Sequence, residues 1–318
     1  MMLAKGVPPS AVRRQLAEAR LTSPALITLD YFAPPEAVAP YVTTFFLMRC
    51  DESVIADVQP AGVGILSVFM RGQGQIFIRD GTVDASHRIN LLTPLAAAAP
   101  IVVDGPWHAF GAALSPLGWA SMTGLSAATA GNRLVEAGEI LGEHFTQLGE
   151  DVSDGYNAGL LDPAAMAGMM TAAILPIVRR VPAAHVVLIR HVVEWLGASL
   201  SPRVEQLQEK ALYSPRQLQR LVDQYFGLPP KQLARKYRAL RAAALLADSR
   251  TTADAADDIA AQFYDQSHMI REIGLFVGRT PARINIPDGT LLNALLDLRN
   301  FREISAAMPV SDAGDTTA

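Results

Sequence analysis

The stretch LYSPRQLQRLVDQYFGLPPKQLARKYRALRAAALL, Leu212 to Leu246, decides how the chain is read. Within it Leu218, Leu221, Val222 and Tyr225 recur at i, i+3, i+4 and i+7, which gathers them into one apolar stripe along a helix. Ser214 offers an N-cap hydroxyl, and Pro215 takes the first helical position, where a missing N–H costs nothing. Gly227 ends that helix, and Pro229-Pro230 breaks the chain before a second helix carrying Lys231, Arg235, Lys236, Arg238 and Arg241. Upstream, Val204, Leu207 and Ala211 repeat at helical spacing. The pattern is helix, tight turn, helix, and then a longer basic helix.

The apolar stripe leaves Arg216, Gln217, Gln219, Arg220 and Gln224 on or near the open face. Arg bonds guanine and Gln bonds adenine in bidentate fashion at the major-groove edge, each good pair contributing about 1–3 kcal/mol of discrimination. A polar helix face is more often simply solvated, so the surrounding charge matters. Between Arg203 and Arg241 nine Lys/Arg stand against three Asp/Glu, whereas the whole chain has a formal net charge of −4. Positive charge gathered on a helix-turn-helix pattern is the footprint of a phosphate-binding surface.

These residues resemble the C-terminal DNA-binding domain of the AraC/XylS family of bacterial transcription regulators, in which a long helix joins two helix-turn-helix units. The first unit resembles Val204 to Phe226, with SPRQLQR (Ser214 to Arg220) followed by FGLPPK (Phe226 to Lys231). The joining helix resembles Lys231 to Leu246. FYDQSHMIREI (Phe263 to Ile273) and FVGRTP (Phe276 to Pro281) resemble the second unit. The resemblance implies duplex DNA as a partner, with Gln266, Ser267, His268 and Arg271 as a second reading set and Lys231, Arg235, Lys236 and Arg238 as contacts to the DNA backbone. It also implies a small-molecule effector, RNA polymerase and a second copy of the chain as partners. The family has a glycine just before the aromatic turn of the second unit. Here IAAQ (Ile259 to Gln262) runs directly into Phe263, behind a stretch holding Asp248, Asp254, Asp257 and Asp258 against Arg250. That departure keeps a second reading open, a non-catalytic protein- or ligand-binding module derived from such a regulator.

The 318 residues suffice for two domains, and 50% of them are hydrophobic without an eighteen-residue apolar run, so no membrane span is expected. No hydrophobic export segment follows Lys5, Arg13 and Arg14, which points to the cytoplasm. Cys50 is the single cysteine and the six histidines form no compact ligand pattern, so neither a metal nor a cofactor is expected. No nucleophile elbow, zincin pattern or nucleotide fingerprint places a reaction, and the expectation is not an enzyme.

The expected fold class is α+β: a cupin-like β domain with following helices, then an all-α double helix-turn-helix domain. A helical extension over 1–24, with a helix at 11–19, precedes a β regulatory domain over 25–118. There short runs such as YVTTFFLMRC, GILSVFMRG and QIFIRDG read as strands. Gly72 and Gly74 are expected in a hairpin turn, and Asp80-Gly81 in another. The order of strands before helices resembles the same family's sensory domain, a small cupin-like barrel. Residues 119–182 form a helical linker or dimerisation region in which Met166, Met169 and Met170 fill space between helices. The double helix-turn-helix domain spans 183–283. Residues 284–318 are an extension with a helix over 291–306 and a tail from Ser311. Trp107 and Phe110 could offer apolar contact to a ligand, but strand alternation sends Trp107 and His108 to opposite faces.

Overall fold

The computed structural model describes residues 21–248, 251–284 and 289–296. The helix expected over 11–19, most of that expected over 291–306, the tail from Ser311 and Arg250 lie outside the described residues. Seven strands come first, β1 Ile27–Phe32, β2 Val42–Cys50, β3 Val54–Gln59, β4 Ile65–Phe77, β5 Val83–Ala85, β6 Ile89–Leu92 and β7 Ala99–Leu114, and an eighth, β8 Leu134–Glu136, follows two short helices. They form one sheet in the order β1-β2-β7-β4-β6-β8, with β3 also paired to β7 and β5 to β4. Every pairing is antiparallel.

The expected cupin-like barrel is not formed. Closure requires each strand to pair on both edges, and among the described residues β1 pairs only with β2 and β8 only with β6. Helices cover one face of the sheet where a barrel would continue as strands. The two longest strands carry the architecture. Along one edge β7 pairs first with β3, through Ala99–Asp104, and then with β2, through Trp107–Leu114, while β4 follows its other edge. The β4–β7 register slips between Phe69 and Gln73. At that slip Gly72 has φ +80°, and a Cβ there would lie 2.6 Å from the Pro106 carbonyl oxygen. The expected hairpin at Gly72 and Gly74 is therefore a bulge inside one continuous strand. Asp80 and Gly81 do form the turn into β5, where Asp80 accepts the Thr82 N–H at 2.9 Å.

Alternation along β7 divides the sheet into two faces. His108, Phe110, Ala112 and Leu114 face helices α1 Pro116–Thr123, α2 Ala127–Ala130, α3 Ala137–Leu141, α4 Glu143–Asn157 and α5 Pro163–Ile174. Phe110 stacks on Phe45 there, ring centres 5.8 Å apart, in a core with Trp119, Phe145, Met166 and Met170. Trp107, Ala109 and Ala113 point the other way and line a cavity of about 170 Å3, whose wall also includes Leu240 and Leu295 from the C-terminal half. Trp107 and Phe110 therefore do not share a face.

The C-terminal half is helical: α6 Ala183–Gly197, α7 Val204–Lys210, α8 Pro215–Phe226, α9 Pro230–Ala247, α10 Ala253–Ala260, α11 Gln266–Phe276, α12 Pro281–Ile284 and α13 Leu291–Leu295. Its core runs from Leu188 on α6 to Leu292 on α13 and takes in Ala61 from the sheet half. Backbone bonds join the two halves, from Ala61 N–H to the Phe276 carbonyl at 2.8 Å and from Ala98 N–H to the Leu275 carbonyl at 3.0 Å. Beside them the fully buried Asp57 of β3 accepts from the Arg279 guanidinium and from the Leu292 N–H, the latter at 2.8 Å. Burial pushes the Asp57 carboxyl up and the Arg279 guanidinium down, and in each case the partner's charge opposes the shift.

Removing one partner of a buried ion pair strands the other charge, at a loss of about 3–5 kcal/mol. Arg279→Ala is expected to lower the urea midpoint by an equivalent amount, whereas Asp57→Leu combined with Arg279→Met recovers most of it. Equilibrium urea unfolding of the two variants checks this, and an Arg279→Ala variant as stable as the parent would remove the pair from its structural role.

Candidate nucleic-acid interface

Helices α7 and α8 form the first helix-turn-helix unit. At the start of α8 Ser214 Oγ accepts the Gln217 N–H at 3.3 Å, while Gln217 Oε1 accepts from the Ser214 N–H at 3.1 Å and from its hydroxyl at 3.0 Å. This reciprocal capping box fixes where the helix begins. It also engages the carbonyl of Gln217, one of the side chains expected to read bases. Gly227, with φ +79°, ends the helix in the left-handed conformation that glycine adopts without strain. Leu218, Leu221, Val222, Tyr225 and Phe226 are buried, and the Tyr225 hydroxyl lies 2.7 Å from His185 Nδ1 on α6. On the other face Arg216, Gln219 and Arg220 are exposed, Gln224 is half-buried, and none of the four has a hydrogen-bond or ion-pair partner among the described residues.

The basic residues of α9 have different surroundings. Lys231 is exposed. Lys236 is buried and donates through Nζ to the carbonyls of Gly62 at 2.9 Å and Leu95 at 3.1 Å, both in the sheet half. Arg241 is buried as well and donates to the Ser199 carbonyl, and desolvation pulls its guanidinium down to about 10. Arg235 and Arg238 converge on Glu272, with Arg235 Nε 2.7 Å from Oε1 and Arg238 Nη2 2.6 Å from Oε2. The Arg238 guanidinium also lies 4.8 Å from the Phe263 ring centre. Of the four side chains expected on the DNA backbone, only Lys231 stands clear of internal partners.

The second unit consists of α10 and α11. Asp265 caps α11 by accepting the His268 N–H at 2.7 Å. Consecutive tight turns, Gln262 N–H to the Ile259 carbonyl and Phe263 N–H to the Ala260 carbonyl, carry the chain off α10 without a left-handed residue. The unit thus forms without the turn glycine. Gln266, Ser267 and Arg271 are exposed on α11. His268 is half-buried with Nδ1 3.2 Å from Glu272 Oε1, and Asp254, Asp257 and Asp258 are exposed on α10.

Glu272 was not singled out in the sequence. It is fully buried and faces Arg235, Arg238 and His268, so one carboxylate ties the joining helix to the second unit. Its only local signal is a position four residues after His268, one turn along the helix. Two exposed apolar side chains also escaped notice, Leu212 at 96% and Tyr264 at 91%, each just ahead of the N-cap of α8 or α11. Among the described residues no group of three His, Cys, Asp or Glu is placed to hold a metal ion, and no helix is long and apolar enough to cross a membrane.

Residues 207–285 match the family model of a helix-turn-helix domain. No curated protein matches the chain. Among solved structures it is similar to ToxT from Vibrio cholerae strain SCE256 with an unsaturated fatty acid bound, at 9% identity and TM-score 0.42, over 74% of this chain and 93% of that one. ToxT from Vibrio cholerae O395 is similar at 10% identity and TM-score 0.41, over 72% and 96%. The AraC-like transcriptional activator CuxR is similar at 11% identity and TM-score 0.30, over 71% and 84%. The segment from α7 to α12 is thus a helix-turn-helix domain.

Proposed function

We propose that the chain is a transcription regulator that binds duplex DNA through its helix-turn-helix domain and senses a small molecule through its sheet half. The observation that carries this reading is the outer face of α8, where Arg216, Gln219 and Arg220 stand exposed and unengaged beside a rigidly capped helix start. A recognition helix needs base-edge donors on a scaffold that fixes their register. Lys231 supplies a phosphate contact, while Gln266, Ser267 and Arg271 form the second reading set. RNA polymerase and a second copy of the chain are the protein partners this reading carries.

Sensing is supported by how α9 meets the sheet. Gly62 lines the cavity while its carbonyl accepts the Lys236 ammonium, and Leu240, one turn further along α9, lines the same cavity. A molecule entering there presses on the helix that joins the two DNA-reading units. The second reading, a binding module with impaired DNA recognition, draws on the exposed aspartates of α10, which repel phosphate.

Arg216→Ala and Arg220→Ala are each expected to weaken specific binding by about 1–3 kcal/mol and to relax the sequence preference at one position. Fluorescence anisotropy with a duplex selected from a random pool measures this, and unchanged affinity and preference in both variants would favour the binding module. Lys231→Ala should weaken binding to all sequences alike and reduce the slope of log affinity against log salt by about 1. Arg235→Ala should leave that slope unchanged, because the guanidinium is held by Glu272. A salt titration of the two variants separates them, and a slope lowered equally by both would return Arg235 to the phosphate contacts.

A further inference from the structure

Helices α8 and α11 begin in the same way, and this sets their residues in register. Each starts from a side-chain cap: Ser214 Oγ accepts the Gln217 N–H at 3.3 Å, and Asp265 Oδ1 accepts the His268 N–H at 2.7 Å. Counted from these caps, Leu218, Leu221, Val222 and Tyr225 of α8 correspond to Met269, Glu272, Ile273 and Phe276 of α11, and every one of them is buried. The inner faces therefore match position for position. By the same count the exposed Arg216, Gln219 and Arg220 of α8 correspond to Ser267, Ile270 and Arg271 of α11, which are exposed as well. Ile270 is the odd member of this outer set. It is 39% exposed and, among the described residues, packs into none of the hydrophobic clusters. Isoleucine there gains little from burial, and its branched Cβ makes it a poorer helix former than the glutamine at the matching place in α8. One turn further on, a Cβ added at Gly274 would meet nothing within 4 Å, so the helix surface beside Ile270 is bare.

We propose that Ile270 is a specificity-determining residue of the second unit and selects thymine by packing on its C5-methyl group. The proposal rests on the DNA-binding role given above and adds one contact to it. Of the four bases only thymine presents a methyl group at the major-groove edge, and an apolar side chain is its matching contact. Gln219, at the corresponding place on α8, presents an amide, whose match is adenine. The two units thus differ in chemistry at equivalent points, with hydrogen bonding in the first and methyl contact in the second. The bare surface at Gly274 leaves a base edge room to close on the Ile270 side chain.

The test uses the full chain and a duplex selected from a random pool, in which each thymine is replaced singly by deoxyuridine. That change removes the methyl group and leaves base pairing intact. Fluorescence anisotropy on the parent chain should find a replacement that weakens binding about three- to fivefold, the worth of one buried methyl group. Ile270→Ala should bind the thymine and deoxyuridine duplexes equally at that position, while Ile270→Val, which keeps a branched apolar group, should retain part of the discrimination. Urea unfolding distinguishes contact from packing: with the side chain outward, Ile270→Ala should leave the midpoint unchanged or raise it. A midpoint lowered as by a core truncation places the side chain in the interior and overturns the proposal. Selective binding that no deoxyuridine weakens, or a sensitivity that Ile270→Ala retains in full, also overturns it and leaves the regulator reading standing. A folded chain that enriches no sequence from the pool overturns both.

Discussion

Asp57 and Arg279 meet where water is excluded, and much of the arrangement of the C-terminal half depends on that meeting. Asp57 sits on the short strand β3, while Arg279 follows α11 in sequence. A buried carboxylate needs several donors, and this one takes the guanidinium, the Leu292 N–H at the start of α13 and its neighbour's N–H at Val58. The same contact therefore fixes the end of α11, the start of α13 and the sheet edge together. Gly278 shows how tight the approach is: its φ is +88°, and a Cβ would come within 2.4 Å of Val58 Cγ1. With α13 held in place, Leu295 reaches the cavity wall.

Electrostatics inside the helix-turn-helix domain revise what its basic sequence suggests. The excess positive charge between Arg203 and Arg241 is not all available to a polyanion. Lys236 and Arg241 are buried against carbonyl oxygens, and Arg235 and Arg238 share Glu272. Such ties cost the surface its charge but fix the orientation of the two units relative to one another. What remains outward is Arg203 and Lys210 at the two ends of α7, Arg216 and Arg220 on α8, Lys231, and Arg271 on α11.

The legible parts of the sequence were those whose cause is local. The apolar stripe of α8, its Ser214 cap and its Gly227 stop lie within a few residues of one another, so periodicity and capping chemistry located them. The opposite faces of Trp107 and His108 followed from alternation along one strand in the same way. The misread parts have distant causes. Lys236 looks like its basic neighbours until its acceptors are known, and Gly62 is 174 residues away. Gly72 has a positive φ in a bulge as it would in a hairpin, so residue type could not distinguish them. Strand order, which separates an open sheet from a barrel, is set by which edges pair, and each strand sequence is compatible with either. Glu272 was invisible for a related reason, since its value comes from two arginines on a different helix.

Helix α9 belongs to both halves of the molecule, and this couples the sheet to the helix-turn-helix domain. Its inner residues build the core of the helix-turn-helix domain, while Lys236 and Leu240 touch the sheet one turn apart. The Lys236 ammonium sits among fixed carbonyls, where displacement without a replacement acceptor is strongly disfavoured. Leu240 faces apolar space that can be filled or left empty. A rigid polar tie beside an adjustable apolar contact allows a small displacement at the cavity to act as a tilt about the tie. Because Arg235 and Arg238 carry α9 into Glu272 on α11, such a tilt would be transmitted to α11, while α8, capped at both ends and packed on α6, keeps its own geometry.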